Sequence, residues 1–226
     1  MGDHVAPDGS PVAVYLALPA GNTPEIIDSA LRPHSSILEL GSGPGRITHP
    51  LLNLGHEVVA VDDSVEMLAH VHGAETVRAN LFTIDLGRRF DAVVAGSHLI
   101  NSPDRALRLQ LLGVCRRHVR ATGVVLIERY PPEWAASPQP SRNRAGQVHI
   151  AFEPLHADDR HFRGRVTYEL GDRQWIQEFD WANLDEDALR SEAEEAGLRL
   201  AGWLDESQTW ARLVTSAPST VMRSRM

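Results

Sequence analysis

The sequence predicts an α/β fold in which a parallel sheet is covered by helices on both faces. Through the first 130 residues, short continuous apolar segments alternate with helical stretches, as is typical of parallel strands buried on both sides. After Tyr130, a stretch with several prolines ends this pattern, and strand-like segments follow on either side of the turn Gly171-Asp172-Arg173. We therefore expect a single domain over residues 1–226, with a small antiparallel β insertion at residues 131–184.

The first half of the chain begins with an arm, residues 1–23, which has little periodicity. A short helix is predicted at Pro24–Leu31, with Thr23 as its N-cap and proline at its first position. Apolar strands are predicted at Ile37–Leu40, Val58–Val61, Glu75–Ala79, Asp91–Ala95 and Gly123–Ile127. Helices between them are predicted at Arg46–Leu54, Ser64–Val71 and Asp104–Val119.

The second half contains mostly strands. Those of the insertion are predicted at His149–Phe152, Arg165–Leu170 and Gln174–Phe179. A helix at Asn183–Ala196 ends at Gly197, and a final strand pair follows at Leu198–Leu204 and Thr209–Thr215. Residues 217–226 are expected to form a flexible tail.

Charge and composition exclude several classes of function. The net charge of −8, with scattered arginines, argues against a nucleic-acid partner. No apolar run reaches the roughly 18 residues of a membrane span, and the N-terminus lacks the pattern of a signal peptide, so we expect a cytoplasmic protein without membrane contact. Cys115 is the single cysteine, and the sequence has no lysine, which excludes a P-loop lysine and a lysine Schiff base.

The segment ILELGSGPGRIT places three glycines and an acid where a strand turns into a helix. Glu39 precedes Gly41, Gly43 and Gly45, and glycines are needed where a backbone turns sharply and approaches a ligand. We expect this loop to offer its backbone amides to a ligand. The next strand ends at Asp62, whose carboxylate can accept hydrogen bonds from both hydroxyls of a ribose. Dinucleotide enzymes use G-x-G-x-x-G, but here Arg46 stands where the third glycine is required.

The pattern E-x-G-x-G-x-G with an acid after the second strand resembles motifs I and II of the class I S-adenosylmethionine (SAM) dependent methyltransferases. The resemblance continues through residues 61–68, 88–101 and 122–134. It implies a seven-stranded Rossmann-like methyltransferase sheet with helices on both faces, and SAM as the cofactor. It also implies that Glu39 favours the amino group of SAM and that Asp62 holds the ribose. The other cofactor residues implied are Gly41, Ser42, Gly43, Gly45, Asp63, Met67, Asn80, Leu81, Gly96, Ser97 and Tyr15, with Asn80 standing where the family usually has an acid.

Candidates for the methyl acceptor site follow the fourth and fifth strands. His98 could act as a general base, or it could only fix its loop through hydrogen bonds. Asn101 lies in the same loop and could orient the acceptor. Glu128, Arg129 and Tyr130 end the fifth strand and could reach the acceptor. Arg129 would suit a carboxylate, although a charge at a strand end is also commonly solvated or paired.

The segment WIQEFDW alternates aromatic and polar residues. Trp175 and the residues two, four and six positions later share one strand face, which we expect to cover the acceptor, the main sheet or a second subunit of a homodimer. Tyr15 in the arm could close over the cofactor. No clustered acids or ligand spacings occur, so no metal is expected.

The sequence therefore predicts a SAM-dependent enzyme that methylates O, N or C of a small molecule. Two alternatives stay open: a SAM-binding enzyme with a non-methylating reaction, such as a pericyclic step, and a nicotinamide-dependent oxidoreductase.

Overall fold

The computed structural model describes residues 4–216, so the predicted tail lies outside the described part of the chain. Its helices are α1 (Val12–Ala17), α2 (Thr23–Ser29), α3 (Thr48–Asn53), α4 (Val65–Leu68), α5 (Arg105–His118), α6 (Pro132–Ala136) and α7 (Glu186–Glu195). Its strands are β1 (Ser36–Leu40), β2 (Glu57–Asp62), β3 (Glu75–Arg78), β4 (Phe90–Ala95), β5 (Val119–Glu128), β6 (Ser141–Ala145), β7 (Val148–Ala157), β8 (His161–Leu170), β9 (Arg173–Ala182), β10 (Leu198–Trp203) and β11 (Trp210–Thr215).

The main sheet has seven strands in the order β10-β11-β5-β4-β1-β2-β3. Strands β1 to β5 run parallel to one another, whereas β11 pairs antiparallel with both β5 and β10. Leu40, near the end of β1, pairs with Val61 of β2 and with Ala95 of β4. This register brings the carboxyl ends of the three central strands to one edge, where ligands bind in open α/β sheets.

Helices cover both faces of this sheet, as predicted. On one face, Leu38 and Leu40 pack with α5 and α7, and on the other, Ile37 packs with α2 and α3. Successive residues of a strand point to opposite faces, so Glu39 shares the α3 face with Ile37. Both faces of β1 are therefore buried, which explains its uninterrupted apolar sequence.

The insertion forms a separate antiparallel sheet in the order β6-β7-β8-β9. The predicted hairpin is present, because Leu170 pairs with Arg173 across the two-residue turn Gly171-Asp172. One face of this sheet packs against α1 through Val14, Val148 and Tyr168. The fold class and the antiparallel character of the insertion are confirmed.

Three elements differ from the sequence prediction. Residues 12–17 of the arm form helix α1, and α6 and β6 lie in the proline-containing stretch, where no helix or strand was predicted. Pro132 starts α6, where proline is favoured because its missing N–H would have no partner. Strand β6 has polar side chains and pairs only with β7, so it lacks the alternation of a buried strand. Within residues 4–216, no helix is long and apolar enough to cross a membrane.

Candidate active site

The glycine loop after β1 turns by means of left-handed backbone conformations. Gly41, Gly43 and Gly45 have φ values of 74°, 55° and 90°. A Cβ atom on Gly45 would lie 2.6 Å from the imidazole of His49, so this glycine lets α3 pack closely. A Cβ atom on Gly43 would meet nothing within 4 Å, because Gly43 borders a cavity at the edge of the sheet.

The backbone amides of this loop are already hydrogen-bonded within the protein, which corrects the expectation that they are offered to a ligand. The amides of Gly41 and Ser42 both donate to the Val61 carbonyl, at 2.8 and 3.0 Å. The amide of Gly43 donates to Asp62 Oδ2 at 2.8 Å. The loop therefore leaves room for a ligand because its glycines have no side chains, and its backbone N–H groups are not free to bind one.

Glu39 presents a buried carboxylate beneath the loop. Its Oε2 accepts a hydrogen bond of 2.6 Å from the Thr48 hydroxyl at the start of α3. Burial raises the pKa of Glu39 to about 7, although Thr48 and the charge of Arg46 oppose the shift. A carboxylate so close to its pKa at neutral pH is ready to ionise when a positive group arrives.

Asp62 at the end of β2 is held by two backbone amides. Gly43 N donates to Oδ2 at 2.8 Å and Ser64 N donates to Oδ1 at 2.9 Å. Burial raises the pKa of Asp62, and the two amides partly offset that shift. Each oxygen keeps a free lone pair, so both can still accept from a ribose.

Other residues that were predicted to border the adenosine of SAM line the same cavity. Asp63, Met67, Asn80 and Leu81 line it, together with Leu99, which the sequence prediction missed. Asn80 Oδ1 accepts a 2.9 Å hydrogen bond from Phe82 N, which fixes the side chain and leaves one lone pair. The Leu99 side chain lies 2.9 Å from a Cβ built on Gly41, so Gly41 is needed for this close approach.

These residues fit SAM. The cavity has a volume of about 690 Å³, within the range of small-molecule sites. Its wall includes a buried acid, a carboxylate that can accept hydrogen bonds from a ribose, and apolar side chains. The predicted cofactor residues that line it are Glu39, Gly41, Ser42, Gly43, Asp62, Asp63, Met67, Asn80, Leu81, Gly96, Ser97 and Tyr15.

The loop after β4 holds two consecutive residues in strained backbone. Ser97 and His98 have φ values of 53° and 57°, a conformation that residues other than glycine rarely adopt. Glu128 at the end of β5 holds this loop, because its Oε2 accepts a 2.6 Å hydrogen bond from Ser97 N. Glu128 also lines the cavity, so β5 supplies a carboxylate next to the imidazole.

His98 faces the cavity and stacks on Tyr130, with ring centroids 3.7 Å apart. Its Nδ1 atom is buried and has no hydrogen-bond partner among the described residues. Burial lowers the pKa of His98 below its ordinary value, and the charge of Glu128 raises it less. The imidazole is therefore neutral near pH 7 and able to accept a proton.

Aromatic rings surround Tyr130. Its ring centroid is 5.1 Å from Trp134, 5.2 Å from Phe162 and 5.0 Å from Trp181. Phe179 stacks on Trp181 at 4.5 Å, and both line the cavity. The insertion thus supplies aromatic side chains to the part of the cavity that contains His98, Glu128 and Tyr130. We call this part the acceptor half, and the part that contains Glu39 and Asp62 the cofactor half.

Asn101 does not line the cavity, which corrects its expected role in orienting the acceptor. Its side chain is fully buried; Nδ2 donates to the Ala182 carbonyl at 2.9 Å, and Oδ1 accepts from Tyr130 N at 3.0 Å. Both ends of the insertion are therefore tied to the loop that carries His98. Asn101 therefore holds the insertion to this loop and does not border the cavity.

Arg129 is also turned away from the cavity, contrary to the expected substrate contact. Its guanidinium is buried, donates to the carbonyls of Leu184 (2.5 Å) and Gln208 (3.1 Å), and lies 4.1 Å from the Trp203 ring. Burial lowers its pKa to about 10, so it stays charged at neutral pH. The strand-end charge is paired, which is the alternative that the sequence left open.

Trp175 lies outside the cavity, whereas Tyr15 lies at its wall. Trp175 shares the buried face of β9 with Gln177, Phe179 and Trp181, as expected, but it packs against the α1 cluster outside the cavity. Tyr15 lines the cavity and packs against the cluster that contains Tyr168 of the insertion. The arm therefore borders the cavity between the sheet and the insertion.

Sequence reasoning missed several cavity residues. Arg46 was noted only as a departure from the dinucleotide motif. Leu99 was missed because its contact with the cavity depends on packing and not on a local motif. Among the described residues, no group of three or more His, Cys, Asp or Glu side chains could hold a metal ion.

Residues 37–123 match the family model described as a methyltransferase domain. This segment is a methyltransferase domain. The match runs from β1 into β5 and leaves out the insertion. No protein of curated function matches the chain at a significant level.

Solved structures share the fold of the whole chain. The CcbJ methyltransferase from Streptomyces caelestis is 18% identical, with a TM-score of 0.75 over 91% of this chain and 96% of that one. The sugar N-methyltransferase KedS8 from Streptoalloteichus sp. is 17% identical, with a TM-score of 0.69 over 90% and 88%. CalS10, an amino pentose methyltransferase from Micromonospora echinaspora, is 20% identical, with a TM-score of 0.68 over 87% and 90%. The domain match and the shared fold confirm the predicted class I methyltransferase, and SAM is the cofactor of this type of domain.

Proposed function

We propose that this protein transfers the methyl group of SAM to a small molecule that binds in the aromatic half of the cavity. The supporting observation is that one cavity joins Glu39 and Asp62, at the ends of β1 and β2, to His98 and the aromatic wall. SAM, when bound, supplies a methyl group already activated on a sulfonium. The chain has to hold the acceptor in line, keep water away and accept a proton.

We assign proton acceptance to His98. Its lowered pKa keeps the imidazole neutral at pH 7, and the stack on Tyr130 fixes the plane of the ring. Glu128 lies next to it and would stabilise the imidazolium after the proton has moved. The strained backbone of Ser97 and His98 is in keeping with a loop shaped for function.

Nitrogen is the acceptor atom that the charges of the site favour. Carboxylates and aromatic faces both attract an ammonium group, and the acceptor half offers Glu128, Tyr130 and Trp181. An amine has only to lose one proton to a neutral imidazole before it attacks. An alcohol is a much weaker acid and would need a stronger base. KedS8 and CalS10, by their names, act on a sugar nitrogen and an amino pentose.

Nucleic acid is disfavoured as the acceptor by the same charges. The cavity is lined by six acids: Asp8, Glu39, Asp62, Asp63, Glu128 and Asp180. They would repel a phosphate backbone. A homodimer remains part of the proposal, and sedimentation equilibrium would test it.

Matched pairs of small molecules test the proposed function. Each pair carries an amine or a hydroxyl on the same ring scaffold, and the protein is incubated with SAM and each member. Mass spectrometry is expected to show one added methyl group on the amine members. Methylation of the hydroxyl members alone would contradict nitrogen as the acceptor. Consumption of SAM with no methylated product would favour a non-methylating reaction.

A further inference from the structure

A second cavity lies at the other edge of the main sheet, near the amino ends of β1 and β4. Its lining includes Ser35, which precedes β1, and Asp91, the second residue of β4. Its volume is about 300 Å³, and it shares no lining residue with the cavity at the carboxyl ends of the strands. Methyl transfer at the carboxyl ends therefore gives no reason for the side chains that line this second cavity.

Two arginines of the second cavity have unpaired guanidiniums. Arg32 follows α2 and Arg212 lies in β11, and both line the cavity while remaining exposed to solvent. Among the described residues, neither side chain has a hydrogen-bond, ion-pair or ring partner. Two positive charges at one small cavity repel each other, and an anion bound by both of them would remove this repulsion.

Asp91 is the one acid among the described residues that line this cavity, and its charge is already matched. Its Oδ2 accepts from the amide and the hydroxyl of Ser36, at 2.9 and 2.7 Å, and its Oδ1 accepts from Arg120 Nη1 at 2.5 Å. Burial opposes ionisation, but the hydrogen bonds from Ser36 and the charge of Arg120 lower the pKa of Asp91 to about 2. The carboxylate therefore pairs with Arg120, and the charges of Arg32 and Arg212 stay unmatched.

A bulge in β5 shapes the wall of the second cavity. Opposite Asp91, β5 advances by five residues, from 119 to 124, while β4 advances by two, from 90 to 92. A Cβ atom on Gly123 would lie 2.6 Å from the Asp91 carbonyl, so glycine is needed for this close approach. Bulges redirect side chains and are frequent next to functional sites. This bulge contains Thr122, which lines the cavity and has a hydroxyl that can donate to an anion.

We infer that the second cavity binds the phosphate group of a small molecule, with Arg32 and Arg212 as its ligands. A phosphate monoester carries a charge between about −1.5 and −2 at pH 7. It also has enough oxygens to accept paired hydrogen bonds from two planar guanidiniums, whereas a single carboxylate would leave one arginine unmatched. The positive charge here is local, since the chain as a whole has a net charge of −8. The site is separate from the proposed methyl transfer and does not depend on it.

Titration of the full chain with inorganic phosphate and with glycerol 3-phosphate tests this site. Amide chemical shifts in NMR spectra give the dissociation constant and the location, and low ionic strength keeps exposed charges unscreened. Saturable shifts of the amides of Ser35 and Thr122 are expected with both ligands. The double variant Arg32→Gln/Arg212→Gln should weaken binding roughly 4- to 25-fold, because each exposed ion pair is expected to contribute roughly two- to fivefold.

Arg142→Gln/Arg160→Gln is the matched control. These two arginines are also exposed, have no side-chain partner among the described residues and line neither cavity. The control loses the same two positive charges, and its affinity for phosphate should stay within about twofold of the wild type. Melting curves without phosphate check that both double variants are folded. If the first double variant were unfolded, Arg32→Gln and Arg212→Gln would be measured singly, each with the two- to fivefold loss expected above.

Three results would overturn the inference. Wild-type spectra without saturable shifts at Ser35 and Thr122 would show that the cavity binds no phosphate. Equal weakening in the two double variants would show that phosphate responds only to the total charge of the protein. Succinate, a dicarboxylate, provides the third test: binding as tight as that of phosphate would show that the cavity does not select a phosphate group.

Discussion

The cofactor half and the acceptor half of the cavity differ in how their functional groups are held. In the cofactor half, Asp62 is fixed by the amides of Gly43 and Ser64, and the partners are close in sequence or lie on adjacent strands. In the acceptor half, His98 is fixed by Tyr130 and Glu128, which come from another strand end, and the wall comes from the insertion. Backbone and strand register thus build one half, and side-chain packing builds the other.

This difference indicates which half of the cavity tolerates amino-acid substitutions. The cofactor half must keep one backbone geometry, since its glycines occupy left-handed conformations and its amides are all paired. The acceptor half can change its shape when a single aromatic side chain changes. A common cofactor and varied acceptors follow naturally from this arrangement.

The largest expected effect lies in the acceptor half. His98→Ala should lower turnover about 10²- to 10⁴-fold while leaving SAM affinity nearly unchanged, because the proton acceptor is lost but the cofactor cradle is not. Rates are measured with the amine acceptor found in the matched-pair screen. The wild-type rate should already be on its plateau above about pH 6.5, because a lowered pKa keeps His98 neutral there.

His98→Asn separates catalysis from loop shape. Asparagine tolerates a left-handed backbone and can form hydrogen bonds, but it cannot accept the proton. Turnover as low as that of the alanine variant is expected. Near-wild-type turnover would show that His98 does not accept the proton and that both halves of the cavity act only by positioning their ligands.

A smaller effect is expected at Asp62 in the cofactor half. Asp62→Ala leaves the ribose hydroxyls and the amides of Gly43 and Ser64 without a partner, so SAM affinity should fall roughly 5- to 150-fold. Calorimetry measures this loss. An unchanged dissociation constant would place the ribose elsewhere and would contradict the comparison drawn above.

Glu39 should make cofactor binding depend on pH. Its pKa of about 7 means that the carboxyl is largely neutral below that pH and cannot pair with the ammonium of SAM. Affinity should therefore rise as pH increases, by roughly 20-fold between pH 5.5 and 7.5 if binding requires the ionised form. Glu39→Gln should remove this dependence. A flat wild-type profile would show that Glu39 does not meet a charged group.

The smallest effect is expected on metal removal. Among the described residues no acids cluster in the manner of a hard-cation site, so activity should persist after exhaustive EDTA treatment. Loss of turnover that magnesium restores would show that Glu128 and its neighbours had been misinterpreted.

The sequence alone predicted the sheet and most of the cofactor half. Glycine spacing, the acid of Asp62 and uninterrupted apolar strands are local signals, because each reflects the backbone or burial at its own position. The strand-like segments of the insertion were predicted for the same reason. Strand β6 and helix α6 were missed, since polar edge strands and short proline-started helices leave no periodic pattern.

Only the tertiary structure decided the orientation of the strand-end side chains. Asn101 and Arg129 follow strands as His98 and Tyr130 do, yet they turn away from the cavity to brace the insertion. Their partners Ala182 and Leu184 lie 81 and 55 residues away in sequence. A side chain at a strand end can reach either the ligand or a distant carbonyl, and the sequence does not show which of the two it reaches. The fold decides it, because a buried polar group is stable only where its partner is.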